Sequence, residues 1–121
     1  LVEDWFRDDQ SANKHIHQRR FLTMNITKSV NDGVVTLSIS GRLDTTTAPE
    51  FEKVIDEVTA ETKELILDMA ELEYTSSAGL RVILKAQKEM NVKGSMKLRN
   101  VNDDVMEVFD ITGFSDILTI E

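Results

Sequence analysis

Apolar and polar residues alternate strictly over residues 34–40, where Val35, Leu37 and Ile39 are interleaved with Thr36, Ser38 and Ser40. A period of two predicts a strand with one buried and one polar face. Residues 26–30 form a second extended run, and Asn31-Asp32-Gly33 lies between the two. Asp-Gly supplies the positive φ angles of a tight primed turn, so a hairpin is expected, with Gly41 ending its second strand. Thr47-Ala48-Pro49-Glu50 then reads as a helix start, with Thr47 as cap, Glu50 three residues on and Pro49 in the tolerant first turn. Phe51, Val54, Ile55 and Val58 recur at helical spacing and predict a helix over residues 48–60.

Residues 64–69 (ELILDM) are a short apolar run bounded by charges, read as a central strand, and residues 71–75 as a connecting loop. A second helix is expected from Ser77 to about residue 92. Leu80, Ile83, Leu84 and Gln87 form one side of it, Arg81, Lys85 and Lys88 the solvated side, and Gly94 its stop. Residues 96–101 predict another strand. Asn102 caps a third helix through about residue 111, with Val105, Val108 and Phe109 inward and Gly113 at its end. Residues 117–120 read as a last short strand or extended edge. The order β-β-α-β-α-β-α-β predicts an α/β fold: a mixed sheet opened by an N-terminal hairpin, with helices mainly on one face.

The chain has 121 residues, 40% of them hydrophobic, which suits a single domain with its own core. It changes character at Met24. Residues 1–23 hold the only tryptophan (Trp5), both histidines (His15 and His17) and balanced charge, with no period or turn signals. They are expected to be a poorly ordered tail, a tag or an upstream extension, with a short helical piece around residues 2–6. Residues 24–121 form the domain and carry all of the net charge of −8. An acidic surface disfavours phosphate backbones and anionic lipid, so neither nucleic acid nor membrane is an expected partner. There is no apolar stretch of the roughly 20 residues that spans a bilayer, and a soluble cytoplasmic domain is expected.

Chemistry is scarce. There are no cysteines, and no histidine lies beyond residue 17. That removes thiolate metal sites and Ser-His or Cys-His nucleophiles. His15 and His17 lack a third ligand, so no metal is expected. The glycines stand singly at turns and make no phosphate cradle. The expected chain is not an enzyme and carries no cofactor.

One segment stands apart: Glu73-Tyr74-Thr75-Ser76-Ser77-Ala78-Gly79-Leu80-Arg81, where an extended segment enters a helix. Capping needs only one serine, and glycine in a first turn costs about 1 kcal/mol relative to alanine. Small Ala78 and Gly79 beside a serine leave room for another protein to approach. A helix N-terminus also suits an added phosphate, because its free N–H groups and dipole favour an anion.

Three stretches together resemble the STAS domain family, and within it bacterial anti-sigma-factor antagonists of the partner-switching type. They are Ser40-Gly41-Arg42-Leu43-Asp44 leading to Thr47-Ala48-Pro49, Tyr74-Thr75-Ser76-Ser77-Ala78-Gly79-Leu80-Arg81-Val82, and Val108-Phe109-Asp110-Ile111-Thr112-Gly113-Phe114. The resemblance spans residues 24–121. It implies a protein that binds an anti-sigma factor, itself a serine protein kinase, and so frees a sigma factor for transcription. Phosphorylation of a serine at the start of the second helix releases the partner, and a serine phosphatase resets the switch. The implied acceptor is Ser77, with Ser76 as the alternative because this chain has serine where the family often has aspartate. Asp44, Thr45, Thr46, Ser76, Ala78, Gly79 and Arg81 are the implied partner-binding residues, although Asp44 and its threonines also suit a simple turn and cap. The family also supplies modules of anion and lipid transport systems, which is the alternative reading, and small-ligand binding is a further one. A homodimer is left open.

Overall fold

The computed structural model describes residues 14–20 and 23–121, with side chains from residue 23 onward. Its elements run β1 (Lys14–Arg20), β2 (Met24–Asn31), β3 (Val34–Leu43), α1 (Ala48–Glu61), β4 (Glu64–Asp68), β5 (Leu72–Thr75), α2 (Ser77–Lys93), β6 (Ser95–Arg99) and α3 (Asp103–Thr112), followed by a 3-10 turn at Phe114–Asp116. One sheet holds all six strands in the order β1-β2-β3-β4-β6, with β5 paired to the end of β3. The β1-β2-β3 ladders are antiparallel and the others parallel, so the sheet is mixed as expected.

The predicted hairpin forms with a two-residue turn. Asp32 and Gly33 both take positive φ, 53° and 81°, the backbone that twists with the strands. Alternate residues then face the core: Ile26 on β2, Val35, Leu37 and Ile39 on β3, Leu65 and Leu67 on β4, Met96 and Leu98 on β6. Against them lie Phe51, Val54, Ile55 and Val58 of α1, Leu80, Ile83, Ala86 and Met90 of α2, and Val105 and Phe109 of α3. Each of these burials except that of Ala86 contributes about 1.5–3 kcal/mol before chain entropy is counted. Thr27, Thr36 and Ser38, on the other sheet face, are only half-buried.

Several boundaries differ from expectation, each for a physical reason. Gly41 does not end β3. At φ +92° it bends the strand where a Cβ would stand 2.3 Å from the Thr23 carbonyl oxygen. The register shifts there, and β3 continues through Arg42 to Leu43. The expected loop over residues 71–75 is instead β5, a strand that this continuation of β3 recruits, with Leu72 and Thr75 buried. Of the short strand or extended edge expected at residues 117–120, only the edge forms, as a single bridge between Ile120 and Leu98.

Lys14–Arg20, expected within a poorly ordered tail, pairs along its whole length with β2, from Lys14 opposite Asn31 to Arg20 opposite Asn25. The free backbone edge of β2 is reason enough for a strand there without any side-chain period in the sequence. The helical piece expected near residues 2–6 lies outside the described residues.

Candidate functional site at the start of the second helix

The N-terminus of α2 is fixed from below. The Ser76 N–H donates to the Leu43 carbonyl at 2.8 Å, and the Leu80 N–H donates to the Ser76 carbonyl at 3.0 Å. Gly79 is buried here, and a Cβ on it would stand 2.6 Å from Leu43 Cγ and 2.7 Å from Thr75 Oγ1. Its smallness therefore lets the helix seat on β3 and β5. This corrects the expectation that Gly79 leaves space for a partner, since the side it opens is the inner one.

The two serines part company. Ser77 is the first residue of α2 and is exposed. Ser76 is the N-cap residue, but its hydroxyl makes no capping bond. Its Oγ is buried and has no hydrogen-bond partner among the described residues. The first turn of α2 carries no acidic residue. Among the described residues its tip thus keeps free N–H groups with neither a side-chain acceptor nor a first-turn anion.

Beside this tip, residues 44–47 close the turn into α1. Asp44 Oδ1 accepts from the Thr46 hydroxyl at 2.7 Å, the Thr46 N–H at 3.0 Å and the Thr47 N–H at 3.2 Å. The Thr46 hydroxyl bond foremost, with the other donors from Thr46 and Thr47, holds the Asp44 carboxyl below the usual range against a smaller opposing effect of burial. Thr47 makes no helix cap. Its hydroxyl donates back to the Arg42 carbonyl at 2.9 Å and accepts from the Asp44 N–H at 2.8 Å. Asp44 and Thr46 therefore serve their own turn.

Thr45 does meet α2. With Ala48, Pro49 and Glu52 it lines one wall of a groove of 240 Å³ whose other wall is Ala78, Arg81, Val82 and Lys85. Lys85 Nζ lies 2.8 Å from Glu52 Oε2 and 3.3 Å from Asp56 Oδ1 across the two helices. The Glu52 hydrogen bond, then that to Asp56, raises the Lys85 pKa above its ordinary value. Arg81 stands one turn beyond Ser77, exposed, with no ion-pair partner among the described residues.

Two residues of this surface stand in the matching sequence stretches but were assigned no role there. The Arg42 guanidinium lies 4.4 Å from the centre of the Tyr74 ring, and Arg42 Nε is 3.7 Å from Asp44 Oδ2. Tyr74 is 41% exposed, a large ring left partly bare next to the Ser76–Ser77 step. Arg42 and Tyr74 face each other because they are register partners of β3 and β5. Ending one strand at Gly41 and reading the other as loop hid the pair. Among the described residues no group of three or more metal-ligating side chains converges, and no helix is long and apolar enough to cross a membrane.

Comparison with known proteins places this geometry in context. The model of the family described as STAS domain matches residues 25–121. The chain is 32% identical over 99 residues to BtrV of Bordetella bronchiseptica, provisionally named an anti-sigma factor antagonist, covering 80% of this chain and 85% of that protein. It is 27% identical over 100 residues to the anti-sigma-B factor antagonist of Bacillus subtilis, covering 82% of this chain and 92% of the other. Among solved structures, an anti-sigma factor antagonist from Mycobacterium paratuberculosis shares the fold at a TM-score of 0.76 and 22% identity, over 81% of this chain and 85% of that one. So does the Bacillus cell fate determinant SpoIIAA in its phosphorylated form, at a TM-score of 0.61 and 17% identity, over 88% and 91% of the two chains.

Proposed function

Because the chain belongs to the STAS domain family, we propose that it is an anti-sigma factor antagonist switched by phosphorylation of Ser77. In this reading the unphosphorylated chain binds an anti-sigma factor that is also a serine kinase, and a sigma factor is set free in the cytoplasm. The role is one of binding, with the chemistry done by the partner. The general role draws support from relatives named as anti-sigma factor antagonists along nearly their full length.

One observation carries the choice of residue. The Ser77 side chain is in solvent at the tip of α2, whereas the Ser76 Oγ is shut away beneath it. The kinase transfers the γ-phosphoryl group of ATP to Ser77 Oγ. The Oγ–P bond forms, the bond to the β-phosphate oxygen breaks, ADP leaves, and the hydroxyl proton passes to a base of the kinase. The product adds about −1.5 to −2 charges at neutral pH at the positive end of a helix. The fold tolerates this anion, while a partner seated on the tip faces a new charge and a new bulk. A phosphatase hydrolyses the ester and restores the hydroxyl.

Titration calorimetry tests the reading with the serine-kinase anti-sigma factor of the same genome, first in ADP and then after phosphorylation of the chain. Tight binding of the unmodified chain with at least tenfold weaker binding of the phosphorylated one is expected. Equal affinities, or no binding to any such kinase, contradict it.

A further inference from the structure

Most of the molecule is acidic, yet α2 is basic. It carries Arg81, Lys85, Lys88 and Lys93 against one acid, Glu89, in a chain whose net charge is −8. The first three cations recur at four- and three-residue steps, which align them along one side of the helix, beginning one turn after Ser77. All three are exposed. Lys85 is held by Glu52 and Asp56, while Arg81 and Lys88 have no ion pair among the described residues. The same side chains border a shallow surface depression of 500 Å³ with Asp56, Leu84 and Glu89, continuous through Arg81 and Lys85 with the groove at Thr45 and Ala78. The groove supplies apolar surface from Ala48, Pro49, Ala78 and Val82. A cationic row beside a small apolar trough matches a segment that is acidic on one side and apolar on the other.

We propose that the α2 row of Arg81 and Lys88, with the Thr45–Ala78 groove, seats an acidic amphipathic segment of the partner, and that phosphate on Ser77 evicts it by pairing with Arg81. This rests on the reading of the chain as a phosphorylation-switched antagonist and names the chemistry of what docks there. Ser77 and Arg81 are four residues apart on a helix, the spacing at which side chains of opposite charge meet. A phosphoserine there satisfies the one arginine of the row with oxygens of its own chain and sets a dianion where the partner's carboxylates would lie. One modification removes an attraction and adds a repulsion.

The probe is the same-genome serine-kinase anti-sigma factor, titrated with the full chain at several salt concentrations. Affinity of the wild-type chain should fall steeply with salt. Arg81→Glu combined with Lys88→Glu should weaken binding at least 30-fold and flatten the salt dependence. Lys97→Glu, on the opposite sheet face, should change affinity by less than threefold, and circular dichroism should show all variants folded. In the phosphorylated chain, Arg81→Gln should raise the second phosphate pKa read by phosphorus NMR, by about 0.5. If the wild type binds and is released by phosphate but the double variant binds as well as the wild type, the acidic-segment inference falls and the switch stands. An unmoved phosphate pKa removes the pairing with Arg81. If the wild type binds no such kinase, the parent reading fails and takes this one with it.

Discussion

The starts of α2 and α3 are built from similar parts and finished in opposite ways. Asn102 caps α3, its side chain accepting from the Val105 N–H at 2.8 Å and donating to the Leu72 carbonyl at 2.7 Å. Asp103 and Asp104 follow in the first turn. That helix tip has its acceptor and its anions already. At α2 the cap residue Ser76 turns its hydroxyl inward, no acid follows, and the first side chain is an exposed serine. An anion added at α3 would meet existing negative charge, whereas one added at α2 meets unsatisfied N–H groups. The contrast separates a helix end that has its acceptor and its anions from one that has neither.

The largest expected effect concerns how the open end is held. Gly79→Ala should cost about 1–3 kcal/mol in urea unfolding, because the new methyl collides with Leu43 and Thr75. A cost near zero would mean that α2 does not seat on β3 and β5 as described. Next come the two caps. Asn102→Ala should destabilise by about 1 kcal/mol, while Ser76→Ala should change stability by less than about 0.5 kcal/mol in either direction, because no capping bond is lost and a partnerless buried oxygen is removed. Equal losses at the two positions would erase the contrast. Smaller still, Ser77→Asp should stabilise the isolated domain by about 0.5 kcal/mol at low salt despite its net negative charge. A destabilisation would show that the α2 tip cannot accept an anion.

Much of the frame was legible because it depends on local rules. The Asp32-Gly33 turn, the alternation in β3, the periodicity of α1 and α2 and the Asn102 cap are each settled within a few residues of sequence. What was hidden depends on contacts between distant segments. β5 is a strand only because β3 runs past Gly41 to meet it, and Arg42 stacks on Tyr74 only through that pairing. The inward role of Gly79 and the burial of the Ser76 oxygen likewise need Leu43 and Thr75 in place, which no spacing reveals. The strand Lys14–Arg20 left no mark in the periodicity, since an edge ladder is made by backbone groups.

The Asp44 turn offers the gentlest test of the surface around the open helix. Its carboxylate is hydrogen-bonded in the ionised form, so its pKa lies lower folded than unfolded. The stability it contributes is full above its ordinary value of 3.8 and is lost as the pH falls through the lowered one. Wild type should therefore exceed Asp44→Asn in stability near neutrality, and the two should converge as the pH falls below 3.8 and through the lowered value. Parallel curves across that range would remove Asp44 from the turn's hydrogen bonding.

The central claim is that Ser77, and not its neighbour, receives the phosphate. Incubation of the full chain with the kinase and ATP, followed by fragmentation mass spectrometry of the peptide holding both serines, tests it directly. The account predicts a single phosphate on Ser77, absent in Ser77→Ala and unaffected in Ser76→Ala. Phosphate on Ser76 of the wild-type chain, or an unmodified peptide in a chain that the kinase binds, would contradict it.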